Sequence, residues 1–336
     1  MRSFEESVYP LLNQTKMRRC TIDPVLEEAL DSDIVIPVMG PTKSGKSHFL
    51  NQLLGSLIFE VGNKLASCTA GVSSVTVTRA PDEHPQVNTI LKGRRIVLVD
   101  TPGFDDTDMS DEEVLILISA WLTKSYNRGM HVGGVLYLHD ITREGPEVKS
   151  LSVFSKVCGQ GAMDRVAIVT TKWDKLRNIK DGEDKLTDLC DRLWGEMLGH
   201  GAHIFHMRPP SSEGESHIYP VHTTPWEIIH SLVVAAENCE VNNQILQIQD
   251  EIANRRLLLP DTNAGRELQM SLDNLLKKAN ELKRKEKEGN LRAPRAAALL
   301  ERRRQGVEMI IAELERSAGF FTRARGWIRN RFQGGS

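Results

Sequence analysis

The sequence predicts an α/β fold, a mainly parallel sheet with helices on both faces, followed by an α-helical extension. Three observations carry that expectation. Short apolar or β-branched runs alternate with helix-length segments from residue 34 onward, the pattern of strands joined by crossover helices. Past Pro260 the texture changes to long stretches rich in Leu, Lys, Arg, Glu and Ala. Charge changes with it: residues 261–336 hold 17 Lys and Arg against 10 Asp and Glu, a local balance of +7, whereas residues 1–260 balance at −9. The chain therefore divides into an N-terminal extension over 1–32, a main unit over 33–259 and a basic helical extension over 260–336.

In the main unit the strand-length runs are 34–39, 74–78, 96–100, 134–139, 166–170 and 203–207. Most are apolar throughout rather than alternating, as strands buried on both faces require. Helical segments are expected over 47–54, 112–125, 147–158 and 183–198, with another beginning near Pro225. In such folds ligands bind outside the carboxyl ends of the strands, so the residues just past each strand are where chemistry is sought.

Composition excludes several classes. With 336 residues, 43 Lys and Arg against 45 Asp and Glu, and a formal charge of −2, the chain has no overall basic field, and no nucleic-acid partner is expected. A hydrophobic content of 40% with 26% charged residues argues against wholesale disorder. The longest apolar run, near 114–122, already contains Ser119 and is far short of the roughly 18 residues a membrane span needs. Glu5 and Glu6 stand where a secretory signal would carry its apolar run, so a cytoplasmic location is expected. The five cysteines are scattered without a C-x-x-C and read as free thiols in a reducing compartment. His200, His203 and His206 have no cysteine partner and no H-E-x-x-H pattern, and read as packing or surface residues rather than as a metal site.

The strongest motif follows the first strand. Gly40, Gly45, Lys46 and Ser47 form G-x-x-x-x-G-K-S between a strand and a helix. Glycines let backbone N–H groups wrap phosphates, the helix presents its positive end, and the lysine reaches the outer phosphates. The phosphate cradle is thus assigned to Gly40, Thr42, Lys43, Ser44, Gly45, Lys46, Ser47 and His48, with Ser47 also a ligand for Mg2+. The plain alternative is a glycine-rich turn before a surface helix. Fifty-four residues beyond Lys46, a second strand ends in Asp100 and continues Thr101-Pro102-Gly103. Asp100 is placed to hold the metal's water shell, and Gly103 to offer its N–H to a γ-phosphate. Alone, this segment would read equally well as a turn.

A third element closes the set. Thr171-Lys172-Trp173-Asp174 follows the run 166–170. The Asp174 carboxylate can accept from both N1–H and the 2-amino group of guanine, a donor pair that adenine lacks, while the Lys172 stem can lie against the ring. Base choice therefore points to GTP and GDP.

With the three elements in order, residues 33–230 resemble the septin-like branch of the TRAFAC GTPases, which contains the GTPases of immunity-associated proteins and the Toc import GTPases. The segments that carry the resemblance are GPTKSGKS, KLASCT, VLVDTPGFDD, GVLYLHDIT and VTTKWD. It implies a P-loop NTPase fold and pairing of GTPase domains across their nucleotide faces, hence a homodimer. It also places Thr69 of KLASCT as the switch threonine that completes Mg2+ coordination and takes part in catalysis, with Thr76 as its rival. Departures from the family patterns bear on catalysis. Phe104 stands where Ras-like enzymes carry a water-orienting Gln, so slow intrinsic hydrolysis is expected. Asp140 stands where some members have Arg, with Arg143 nearby and read as a surface charge. Thr171 replaces the usual Asn. Thr223 and Thr224 are candidates for the last base-contacting loop, after a stretch at 206–225 that looks inserted.

In the extension Leu268, Leu272, Leu275, Ala279 and Leu282 are spaced 4, 3, 4, 3, a seam suited to helix pairing in cis or between copies. Phe320, Ala324, Trp327 and Ile328 share one face of a potential helix rich in arginine, so residues 319–332 are a candidate for peripheral membrane contact. The expected function is a guanine-nucleotide switch with slow, dimerisation-dependent GTP hydrolysis. The alternative is a non-hydrolysing, GTP-bound scaffold that recruits membrane or protein partners through its C-terminal helices. An ATP-dependent kinase or ATPase is the third possibility.

Overall fold

A computed structural model describes residues 23–59, 71–106, 109–143, 148–208, 223–239 and 244–268. A short helix α1 (Pro24–Glu27) leads into β1 (Ile34–Met39), α2 (Lys46–Leu54), β2 (Ser73–Val77), α3 (Pro85–Leu91), β3 (Ile96–Asp100) and α4 (Asp111–Asn127). There follow β4 (His131–Val132), β5 (Val135–Asp140), α5 (Val148–Cys158), β6 (Val166–Thr171), α6 (Ile179–Leu189), α7 (Gly195–Gly199) and β7 (His203–His206). The described chain ends with α8 (Pro225–Glu237), α9 (Gln247–Gln249) and α10 (Asn263–Glu267).

The sheet runs β2-β3-β1-β5-β6-β7, with the two-residue β4 also paired to β1. All pairings are parallel except β2 with β3. Residues alternate between two cores. Val35, Val97, Val99, Tyr137 and Ile168 face α4, α5 and the buried Leu246, Ile248, Leu259 and Leu268. Ile36, Val38, Leu98, Leu136, Leu138 and Val169 face the layer of α2, α3 and α8. A side-chain period of two, with helices over each face, makes apolar residues the right choice at every central strand position. Each such side chain, fully buried, is worth about 1.5–3 kcal/mol.

Capping residues account for where several helices begin. Ser110 and Glu113 form a capping box on α4, Thr224 and Glu227 another on α8, and Asn178 caps α6. The helix expected over 183–198 differs from the structure. It starts earlier, at Ile179, and is broken by a wide turn at Cys190–Trp194 before α7. The extra backbone residue in such a turn rotates the side chains beyond it to a new face. Trp194 is 1% exposed there, its ring edge-on to His139 at 5.3 Å. Gly182, inside α6, is explained by a close approach: a Cβ would lie 2.5 Å from Leu176 Cδ1 and 2.7 Å from Trp173 Cζ3. Glycine at such a position costs about 1 kcal/mol of helix preference relative to Ala, which the approach outweighs.

Contacts run across both of the expected unit boundaries. Leu26 of α1 is buried in the core, and Arg95, held by the fully buried Asp33, donates to Glu28 O at 2.8 Å. Beyond Pro260, Ala264 and Leu268 are buried against the α4–α5 layer, and Ser152 Oγ donates to Glu267 Oε1 at 2.7 Å. The remainder of the leucine seam and the segment 319–332 lie outside the described residues. Among the described residues, no helix is long and apolar enough to cross a membrane.

Candidate functional site

Parallel pairing brings the ends of five strands to one edge of the sheet. Val38 is level with Asp100, Asp140 with Thr171, and Thr170 with His206. The loop after β1 lies between the ends of β3 and β5, and the helix that follows it, α2, covers one face of the sheet while α4 and α5, which follow β3 and β5, cover the other. That is the place an α/β fold reserves for a ligand.

Two backbone positions shape the loop. Gly40 has φ +132°, and a Cβ on it would meet Leu138 O at 2.3 Å; Gly45 has φ +97°. Any other residue is strained at these angles, and at Gly40 the neighbouring strand also occupies the space. Among the described residues no side chain caps α2, whose start is the positive end of the helix and suits an anion. Lys46, 6% exposed, folds its ammonium back over the loop and donates to Gly40 O at 3.1 Å and Pro41 O at 2.9 Å.

Ser47 Oγ donates to Asp100 Oδ2 at 2.8 Å, joining the first turn of α2 to the end of β3. A hydroxyl and a carboxylate side by side are the hard oxygen donors that Mg2+ takes, so this pair fits the metal assigned to it. Thr101 instead fastens the strand ends together: it is buried and donates to Val38 O at 2.7 Å. Gly103 touches the loop itself, since a Cβ there would lie 2.5 Å from Thr42 N and Oγ1. Thr42 N donates to Phe104 O at 2.7 Å, and Thr42 Oγ1 to Asp106 Oδ2 at 2.7 Å. Phe104 is wholly buried in the core, so its side chain is an anchor for this segment and has no access to a reacting water. Arg143, read from sequence as a surface charge, is about one-third exposed and faces its own chain, 3.5 Å from both Thr42 O and Asp105 Oδ2.

Of the two threonines proposed for the metal, Thr76 pairs with Val97 inside β2, three residues from the level of Asp100, which Ser73 occupies. Its position does not meet the site. Thr69 lies outside the described residues. His48 is exposed on α2.

On the base side, Thr171 Oγ1 donates to Ser44 O at 2.8 Å and so ties the third motif to the phosphate loop. Lys172 has φ +61°, and its ammonium donates to Lys43 O and, at 2.6 Å, to Asp140 Oδ2. Asp140 thereby joins the candidate site, and in the sequence it stands out only as a departure from a family pattern. Its other oxygen accepts from Thr142 N at 2.9 Å and Thr142 Oγ1 at 2.7 Å. Burial by itself would raise the Asp140 pKa, but the hydrogen bonds from Lys172 and Thr142 and the lysine charge outweigh it and hold the carboxyl below the usual carboxylate range. The available signal was a carboxylate at the end of a strand next to β6, the same placement that singled out Asp100. Asp140→Asn keeps the shape and removes the charge, and is expected to weaken guanine-nucleotide binding about tenfold by loosening Lys172, measured by calorimetry.

Asp174 is exposed on the short turn Trp173–Lys175. Thr223 N donates to His206 O at 3.3 Å, so the chain returns from the inserted stretch at the end of β7, beside the base motif. Thr224 uses its side chain as the cap of α8. His206 is 3% exposed and bonded through Nδ1 to Thr170 Oγ1 at 2.8 Å. Burial, with the Arg208 charge adding to it, pushes the His206 pKa down to about 4. The folded state therefore keeps this ring neutral while the unfolded chain protonates it from about pH 6.5 downward. Stability is full above pH 6.5 and falls as pH drops through the window toward 4, by about 3 kcal/mol at most from this group. A melting-temperature series is expected to show that slope, and His206→Gln to flatten it.

A model of the AIG1 family matches residues 34–199, the stretch that carries all three motifs. By that match, residues 34–199 are similar to an AIG-type P-loop GTPase domain. No curated protein matches the sequence. Among solved structures, Toc33 from Arabidopsis thaliana in complex with GDP and Mg2+ is similar at a TM-score of 0.44 and 16% identity, over 65% of this chain and 88% of Toc33. A dimerisation-deficient variant of the same protein gives 0.44 and 15% over 65% and 89%. Era from Aquifex aeolicus bound to GDP and AlF4− gives 0.34 and 19% over 52% of this chain and 50% of Era. The family match ends just before β7, so α8 and residues 244–268, which share the two cores, lie outside it.

Proposed function

We propose that this protein is a guanine-nucleotide-dependent switch that binds GTP and GDP with Mg2+ and hydrolyses GTP slowly. The observation that carries the reading is the meeting of Lys46, the Ser47–Asp100 pair and the Thr171–Asp174 turn at one sheet edge, with Ser47 and Asp100 2.8 Å apart. Bound Mg2+ would supply charge neutralisation between the outer phosphates, with Ser47 as direct ligand and Asp100 through its water shell. Lys46 neutralises charge on the β and γ oxygens, and the loop amides orient them. Gly103 offers its N–H to the terminal phosphate, and Thr69 is proposed to close over the metal. Asp174 accepts from the two guanine donors while Lys172, held by Asp140, covers the ring.

Slow turnover follows from Phe104, which is committed to the core and leaves no side chain at that position to orient water. Acceleration by a second copy facing the nucleotide is part of the proposal. So are a cytoplasmic location and lipid contact through residues 319–332. A non-hydrolysing scaffold is the second reading, and the buried Phe104 favours it. Single-turnover GTP hydrolysis across a protein-concentration series separates the two. A rate that rises with concentration is expected, and zero turnover at every concentration would leave only the scaffold.

A further inference from the structure

Trp173 sits between the two residues assigned to the base, yet it turns inward and is 2% exposed. Its ring is enclosed by three elements. The indole Nε1 donates to Thr170 Oγ1 at 2.8 Å, and that hydroxyl is also 2.8 Å from His206 Nδ1 at the end of β7. The His206 ring stands edge-on to the indole at 5.7 Å. From α6, Gly182 comes so near that any side chain there would strike the indole. The Arg208 guanidinium lies over the ring, 4.7 Å from its centroid, while Nη1 donates to Glu183 Oε1 of α6 at 3.2 Å.

Arg208 is itself only 2% exposed. Burying an arginine is costly even when it is paired, and an aliphatic side chain would cover the same indole without that desolvation. What the arginine adds is direction: a planar group pinned by a carboxylate at its edge and by a π face beneath it has one resting place. Asp174, next in sequence to Trp173, is exposed, so the aim of its carboxylate is set by the turn that carries it. That turn is short, closed by Lys175 N donating to Lys172 O at 3.0 Å, and its inward anchor is the indole.

We propose that Arg208 is a positioning residue for guanine specificity: clamped between Glu183 and the face of Trp173, it fixes the Trp173–Lys175 turn so that the Asp174 carboxylate meets both donors of the base. This rests on the guanine-nucleotide reading above. Neither Arg208 nor Trp173 touches the nucleotide in this arrangement. Their effect is carried entirely by the aim of Asp174, and so it appears as discrimination rather than as phosphate affinity.

The deciding experiment is calorimetry with GDP and with inosine diphosphate, which lacks the 2-amino group, in the presence of Mg2+. The wild-type chain is expected to prefer GDP. Arg208→Ala is expected to lower that preference about tenfold, the value of one hydrogen bond to a charged group. Trp173→Phe keeps an aromatic ring and loses the bond to Thr170, and is expected to lower the preference as well. Arg208→Lys keeps the charge without the plane and is expected to fall between. Should Arg208→Ala fail to fold, the last two variants decide the matter. An unchanged preference for GDP in folded variants would overturn the proposal, as would an equal loss of affinity for both nucleotides. Absence of GDP binding by the wild-type chain would instead remove the guanine reading on which it rests.

Discussion

Lys46→Ala is expected to lower the affinity for GDP and GTP at least about a hundredfold, because each hydrogen bond from a charged donor is worth roughly 1.5–3 kcal/mol and the ammonium would make more than one to the phosphates. In the structure this ammonium is held over the loop by the carbonyls of Gly40 and Pro41. Those carbonyls belong to the backbone of the loop, so the nitrogen is held against the loop before any ligand arrives. Loss of the side chain removes the charge and leaves the loop's shape, which is set by Gly40 and Gly45. Calorimetry with Mg2+ present, beside a melting curve to confirm folding, checks the result. Retention of wild-type affinity would mean that the loop after β1 is a turn and no phosphate cradle.

The second large effect is a change of base. Asp174→Asn is expected to weaken GDP binding by roughly two orders of magnitude or more, since a carboxylate accepting two donors is replaced by an amide that opposes one of them. The same variant is expected to gain affinity for xanthosine diphosphate, whose 2-carbonyl accepts what the amide donates. Because Asp174 is exposed, the melting temperature is expected to stay within about a degree or two of wild type, as surface substitutions usually do. Competition between the two diphosphates reads the switch directly. Unaltered preference for GDP would exclude the Trp173–Lys175 turn as the base-recognition element, and with it the assignment of the whole third motif.

These two experiments concern residues that motifs in the sequence single out, and the reason is physical. A phosphate cradle is made by consecutive backbone amides, so its glycines and its lysine must lie close together along the chain, as they do from Gly40 to Ser47. A carboxylate or base motif must stand at the end of a buried strand, and runs such as 96–100 and 166–170 announce themselves by continuous apolar and β-branched character. The broken helix after Ile179 was not legible. A wide turn leaves the apolar periodicity of the segment nearly intact while changing which face Trp194 presents.

Side chains that act across strands were harder still to foresee. Asp140 and Lys172 are 32 residues apart and become partners because β5 and β6 are neighbours in register, with Asp140 level with Thr171. Arg208, Trp173 and Glu183 come from the end of β7, the end of β6 and the side of α6, and nothing in their spacing marks them as one cluster. Phe104 was visible as a departure from a catalytic pattern, but that its ring is an anchor in the core came only from packing.

Chemistry that the backbone performs over a few consecutive residues is thus written along the chain, because covalent connection alone brings the participating atoms together. The restraint of Lys172 by Asp140, the packing of Trp173 beneath the turn that carries Asp174 and the antiparallel edge strand depend on which elements become neighbours. That follows from burying two apolar faces of one sheet at once, a condition the whole chain satisfies together and no segment satisfies alone.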